Sequence, residues 1–257
     1  MDFSGKHGLV LGVANKRSLT WAIAQKAAAA GADLVVTYQG ERLEENVREL
    51  AATLPRPPLI LPCDVANDEQ IANLFAKTDE TYGGLDFVVH GAGYAPREAL
   101  SDPFLQTSRE AFRIALDISA YSLVALARGA APLLARRGGG SILTLTYLGS
   151  QRVLQNYNVM GVAKAALETS VMYLASDLGA QNVRVNAISA GPVKTLAASG
   201  ISGFSGILQV YREKAPLKRN IDAAEVADTA LFLLSPAARG ITGETLFVDA
   251  GYHIMGL

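Results

Sequence analysis

The sequence predicts an α/β fold: a single doubly wound domain in which a seven-stranded parallel sheet carries helices on both faces. Three observations lead there. Short apolar runs rich in Val, Ile and Leu alternate along the chain with longer amphipathic stretches, the pattern of βα units whose strands are buried on both sides. A glycine-bearing turn follows the first of these runs, which favours an open sheet over a (β/α)8 barrel of similar length, because barrels bind phosphate after their last strands. The 257 residues, 50% of them hydrophobic, suffice for one large core, and no repeat or linker divides them, so the domain is expected to span 1–257.

Each element follows in order. Leu9, Val10 and Leu11 make 8–12 the first strand, and a helix over 19–30 ends at Gly31. Leu34, Val35 and Val36 mark strand 33–38, a helix covers 42–54, and Leu59, Ile60 and Leu61 mark strand 59–62. Asp68 suits the N-cap of a helix over 68–82 that stops at Gly83. Strand 85–90 leads to a long helix over 108–136 capped by Ser108, then to strand 141–146, and a helix over 158–178 stops at Gly179. Gly31, Gly83 and Gly179 are each expected to supply left-handed backbone at a helix end. Strand 183–189 precedes residues 190–220, which are rich in Gly, Ser and Ala and show no clear period; loops of that length are functional or disordered. A helix over 223–234 and strand 245–248 close the chain.

Composition narrows the function. The 23 basic and 24 acidic residues leave a net charge of −1 without a block of five like charges, so a nucleic-acid partner is not expected. Cys63 is the only cysteine, which rules out an internal disulfide and a Cys-rich metal centre, and it reads as a small apolar residue ending a strand. The first residues lack the apolar core of a signal peptide, and no apolar run approaches a membrane span. The expectation is a cytoplasmic protein with no membrane partner and no metal.

The turn from Gly12 through Ser18 to Leu19 joins the first strand to the first helix. Free N–H groups and the helix dipole make such a junction an anion site that fits a dinucleotide pyrophosphate, as in Rossmann-type domains. Only Gly12 matches the usual three-glycine pattern; Lys16 and Ser18 stand where the other glycines would. About twenty residues on, where an acid ordinarily meets the adenosine ribose, stands Gln39, which bonds hydroxyls without adding charge. Glu41 repels a 2′-phosphate while Arg42 offsets it, so NADH is favoured over NADPH. Asp64 and Val65 follow the third strand at the place for adenine, although Asp64 is as well suited to capping its loop. Gly91, Ala92 and Gly93 allow close backbone approach to a cofactor, whereas His90, with no acid partner in view, reads as structural.

Tyr157 and Lys164 are seven residues apart, two helical turns, so one helix face presents both about 10.5 Å apart along the axis. A cationic Lys164 at ribose hydroxyls would anchor the nicotinamide half beside a hydrogen-bonding phenol. With Gly12 to Leu19, Thr37-Tyr38-Gln39, Asp64-Val65, Tyr147, the Tyr-x6-Lys pair within Tyr-Asn-Val-Met-Gly, and the Ser-Ala-Gly-Pro run at 189–192, essentially the whole chain resembles the enoyl-acyl carrier protein reductases of bacterial fatty acid synthesis. These form a divergent branch of the short-chain dehydrogenase/reductases. Ordinary members of that superfamily use Tyr-x3-Lys, but Met160 stands four residues before Lys164 here, as in the enoyl reductase branch.

The resemblance implies NADH-dependent reduction of the trans-2 double bond of a carrier-linked enoyl thioester. It gives Tyr157 the role of donor to the thioester oxygen, Lys164 that of ribose anchor, and Tyr147 a part in shaping the pocket. It adds Ala92 beneath the nicotinamide, Ala95 at the acyl substituent, and Val193, Lys194, Thr195, Leu196 and Ala197 along the nicotinamide amide and pyrophosphate. It further implies a substrate lid at about 193–215, a homotetramer, and acyl carrier protein as the substrate's bearer. Basic residues expected near the start of the lid are missing; Arg212, Lys214, Lys218 and Arg219 lie later. Two alternatives are a carbonyl or 3-ketoacyl reductase, which Met160 disfavours, and a non-catalytic NADH-binding module, which Tyr157 and Lys164 disfavour.

Overall fold

A computed structural model describes residues 1–195 and 203–256 of the chain. Seven strands, all paired in parallel, form one sheet in the order β3-β2-β1-β4-β5-β6-β7. They are β1 (His7–Leu11), β2 (Asp33–Tyr38), β3 (Leu59–Pro62), β4 (Phe87–His90), β5 (Gly140–Thr146), β6 (Val183–Ala190) and β7 (Thr245–Val248). The main helices are α1 (Leu19–Ala29), α2 (Glu41–Ala51), α3 (Asp68–Tyr82), the single turn α4 (Glu98–Ser101), α5 (Arg109–Leu116), α6 (Ser122–Arg136), α7 (Asn158–Leu178), α8 (Phe204–Lys214) and α9 (Ala223–Leu234).

Side chains alternate across each strand, and because helices cover both faces the central strands are largely apolar on both sides. Val10, Val36, Leu143 and Ile188 join one core with Trp21 and Ile23 of α1 and Leu231 of α9. Leu9, Val35, Val88, Ile142 and Val185 face the other way into a core with Leu74 of α3, Leu126 of α6 and Leu167 of α7. The order reverses between β1 and β4, so a crevice opens outside their C-terminal ends, where doubly wound sheets bind ligands.

Several local expectations are corrected. The cap of α3 is Asn67, whose side chain accepts from the Gln70 N–H at 3.1 Å, and Asp68 is the first helical residue. Ser108 does cap α5, accepting from the Ala111 N–H at 3.1 Å. Gly83 and Gly31 are left-handed (φ 65° and 102°), but Gly179 is not: it continues into a 3-10 turn, and Asn182 (φ 56°) makes the left-handed exit. The long helix is not uniform, because a π-helical turn at Asp117–Tyr121 separates α5 from α6. By length and composition, Arg109–Arg136 is apolar enough to cross a membrane, contrary to the expectation that no run approaches a span; 56% of its most apolar window is buried within the fold, as for a core helix. Part of the segment read as lacking structure forms α8, which starts after the left-handed Gly203 (φ 79°).

Candidate active site

Two adjoining clefts run along the C-terminal edge of the sheet and share Leu19, Ala92, Tyr94, Leu145 and Thr195 as common walls. The smaller, of about 350 Å3, is lined by Gly12, Ser18, Leu19, Gln39, Val65 and Ala92. The larger, of about 620 Å3, is lined by Ala92, Ala95, Tyr147, Tyr157, Lys164, Val193 and Thr195. Residues singled out at separate points of the sequence therefore line one continuous trough. Asp64 and Lys194 line neither cleft. One carboxylate oxygen of Asp64 accepts from the Ala66 N–H at 3.0 Å, closing the turn before α3, and Lys194 lines a separate recess with Arg212. Leu196, Ala197 and lid residues 198–202 lie outside the described residues.

The smaller cleft begins at the β1–α1 turn. Gly12 has φ +93°, and a Cβ there would meet the Gly91 carbonyl oxygen at 2.7 Å, so only glycine lets these two turns approach. Ser18 precedes α1, and its hydroxyl accepts from the N–H groups of Ala14 and Asn15 at 3.2 and 3.1 Å, curling the turn around its end. Thr37, Leu43, Cys63 and Ile118 also line this cleft and were not anticipated as site residues. Thr37 and Cys63 sit at the C-terminal ends of strands, a positional signal that could have found them; Ile118 arrives through the π-helical turn, which left no mark in the sequence. Cys63 is buried, and burial pushes its thiol up to about 11, so it is an apolar wall rather than a nucleophile.

In the larger cleft, Tyr157 is the N-cap of α7 and Lys164 lies two turns along it; both are 8% exposed. The Tyr157 ring packs so closely on the turn before it that a Cβ at Gly149 would meet ring carbon Cδ1 at 2.3 Å. The Tyr147 ring stands edge-on to it with centroids 5.2 Å apart. Burial raises both phenols above the ordinary tyrosine value, so each is an un-ionised donor at neutral pH. Lys164 Nζ donates to the Leu145 carbonyl at 2.8 Å. Burial lowers its ammonium to about 8, and the Glu168 carboxylate opposes that shift. Arg97, Leu100 and Phe204 also line it and escaped the sequence reading, whereas Met160, marked there for its spacing from Lys164, proves to be a wall as well.

Two buried side chains brace the elements around the clefts. His90 is fully buried, with Nδ1 2.8 Å from Thr144 Oγ1 and Nε2 2.8 Å from Ser122 Oγ; desolvation depresses it to about 3, so it is neutral and structural. Ser119, in the π-helical turn, accepts from the Tyr94 N–H at 2.9 Å and donates to the Tyr94 carbonyl at 3.0 Å, fixing the loop between the clefts. Among the described residues, no group of three His, Cys, Asp or Glu could hold a metal ion.

A trough of this shape, with a glycine turn at one end and a Tyr-Lys pair at the other, agrees with what the chain is similar to. The family described as enoyl-(acyl carrier protein) reductase matches residues 12–253. An NADH enoyl-[acyl-carrier-protein] reductase, FabI, of Bacillus cereus is 54% identical over 98% of both chains, and that of Bacillus subtilis is 53% identical over 99% of both. The crystal structure of the Bacillus cereus enzyme with NADP+ and indole naphthyridinone superposes with a TM-score of 0.97 over 100% of both chains at 53% identity. That of the Anaplasma phagocytophilum enzyme with NAD gives 0.95 over 99% of this chain and 96% of the other at 48% identity. With the resemblance end to end in both sequence and fold, the chain belongs to the enoyl-(acyl carrier protein) reductase family.

Proposed function

We propose that this chain uses NADH to reduce the trans-2 double bond of enoyl thioesters borne by acyl carrier protein, with Tyr157, Lys164 and Tyr147 as the residues at the reacting end. The carrying observation is the buried Tyr157–Lys164 pair on one wall of a trough whose far end is the Gly12 turn. The residues present fit a dinucleotide: the Gly12 cradle excludes any side chain, and the start of α1 offers free N–H groups to a pyrophosphate. Gly12, Ser18, Leu19, Gln39, Val65 and Ala92 would hold the adenosine half and the bridge, and Lys164, Val193 and Thr195 the nicotinamide half. Asp64, which closes the turn beside Val65 without lining the cleft, remains the proposed adenine contact.

When bound, NADH supplies the hydride that reaches the β-carbon of the substrate. Tyr157 donates its O–H to the thioester oxygen, where negative charge develops as the enolate forms; aimed from a buried wall, this donor acts as an oxyanion hole does. With its phenol raised by burial, Tyr157 holds its proton throughout, and the α-carbon takes its proton from solvent reaching the open side of the cleft. Lys164 fixes the ribose hydroxyls, and Tyr147 shapes the acyl pocket with Ala95. The reading keeps one domain over 1–257 with a lid across 193–215, of which α8 forms the far part.

In the assay that tests this, nicotinamide absorbance falls when a trans-2-enoyl thioester is added and stays constant with a 3-ketoacyl thioester. The second result follows from Met160, which leaves the ketone reductase position without its tyrosine. KM is expected to be lower for NADH than for NADPH, because Gln39 lines the adenosine end without a positive charge and Glu41 opens α2 beside it. Turnover of the ketone, or a lower KM for NADPH, would overturn the corresponding part.

Docking of the carrier is assigned to Arg212 and Lys214 on α8. Arg219 is engaged by Glu225 at 2.6 Å, and Lys218 Nζ donates to the Glu213 carbonyl at 2.9 Å, so neither is as available to an acidic partner. KM for the carrier-linked substrate therefore rises with salt, and no dependence would remove this assignment. A homotetramer completes the reading, supported by Met172 and Tyr173 of α7, which are 54% and 71% exposed; a native mass other than four chains would contradict it.

A further inference from the structure

The Glu168 carboxylate gathers hydrogen bonds that the reaction as described does not explain. Its Oε1 lies 2.7 Å from Thr146 Oγ1 and 2.6 Å from Ser150 Oγ, and its Oε2 is 3.3 Å from Gln151 Nε2. Ser150 Oγ also lies 3.0 Å from the Tyr147 carbonyl; a hydroxyl has one proton, and the shorter bond to a charged acceptor takes it. Tyr147 is thus bracketed by Thr146 and Ser150, both donating to one oxygen. Glu168 itself stands one turn beyond Lys164 on α7, and eleven residues separate it from Tyr157, close to three whole turns, so all three share one stripe of the helix.

We propose that Glu168 is a positioning residue: its carboxylate ties the turn carrying Tyr147 to the helix carrying Tyr157 and Lys164, and supplies the counter-charge to the buried Lys164 ammonium. The proposal rests on the site reading given above. Two consequences separate. The tether fixes the Tyr147 ring against Tyr157, since the turn's own bonds, Ser150 N–H to Tyr147 carbonyl and Gln151 N–H to Leu148 carbonyl, both at 3.0 Å, are internal and do not reach α7. The charge favours the protonated form of Lys164 and so opposes the desolvation that lowers it. Around Lys164, Tyr157 and Tyr147 are neutral at ordinary pH and His90 on β4 is neutral above about 3; Tyr94 and Arg97 line the same cleft. Glu168 is therefore the negative charge of this neighbourhood among the described residues.

Two variants read the two consequences apart. Glu168→Gln keeps an amide oxygen that can accept from both hydroxyls, so the tether survives and only the charge is lost. Without that charge, Lys164 loses its proton at lower pH, and the alkaline limb of kcat/KM for NADH moves down by about one pH unit. Glu168→Ala loses the tether as well, and kcat falls by a further factor of about 10–100 at a pH below both limbs, as expected when a pocket residue is misplaced. Ser150→Ala, which leaves α7 untouched, keeps the test open if Glu168→Ala does not fold; it lowers kcat several-fold with little change in the alkaline limb.

An unmoved limb in Glu168→Gln, or a parental kcat in both Glu168→Ala and Ser150→Ala, overturns the proposal. Lys164→Ala distinguishes this failure from failure of the site itself: if that variant still binds and oxidises NADH as the parent does, the site reading falls and the role of Glu168 with it.

Discussion

Lys164→Ala is expected to lower kcat/KM for NADH by about 10²–10⁴-fold, the cost of two lost charge-assisted hydrogen bonds to ribose hydroxyls at roughly 1.5–3 kcal/mol each. Most of the loss belongs in cofactor affinity, because the role proposed for the ammonium is to hold the ribose rather than the reacting carbon. The variant also removes the donor that now lies 2.8 Å from the part-buried Leu145 carbonyl, so a fall in melting temperature accompanies the effect. Titration of the folded variant with NADH separates the two, and affinity within twofold of the parent would remove the anchoring role. The same group sets a pH dependence. Burial lowers its value from 10.5 to about 8; the protonated form is the one that binds ribose and prevails below that value. Hence kcat/KM for NADH declines as pH rises through about 8, and Lys164→Arg, charged at every pH, flattens the decline whatever its absolute rate.

How much of this could be read from the chain follows from where each interaction lives. The central strands were legible because both faces are buried, so Leu9 and Val10 are apolar together although they point into different cores. Tyr157 and Lys164 were legible because both belong to one helix, whose period converts a spacing of seven into a shared face. Glu168 sits on the same stripe but was passed over, since its partners Thr146 and Ser150 lie 22 and 18 residues away and no helical period connects them. Ser119 escaped for a related reason: its orientation toward Tyr94 depends on a π-helical turn that shifts register inside an otherwise regular apolar run. The helix α8 was hidden in a segment of small residues because its anchor comes from the far end of the chain, where Tyr252 stacks on Tyr211 at 3.7 Å between centroids. Local periodicity thus carried the scaffold and the Tyr157–Lys164 pair, while the residues packed and bonded around the pair act through tertiary contacts.

Tyr157→Phe is the second large effect, and it tests the chemistry rather than the binding. Removing one donor aimed at a developing oxyanion costs about 10²-fold in kcat, and KM for NADH stays near the parent value because Lys164 is untouched. The ring itself is kept, so its edge-on packing with Tyr147 survives and a folding defect is not expected. A second substitution reaches the same donor from behind. At Gly149 a Cβ would stand 2.3 Å from the Tyr157 ring carbon Cδ1 and 2.6 Å from Cε1, well inside van der Waals contact, so Gly149→Ala must displace the ring and its hydroxyl from the cleft wall. It should reproduce much of the loss with the phenol still present, and the double variant should be little worse than either single one, since a displaced phenol has nothing left to lose. Full additivity of the two losses, or a parental kcat in Tyr157→Phe, would mean that charge on the thioester oxygen is stabilised by some other group of the trough.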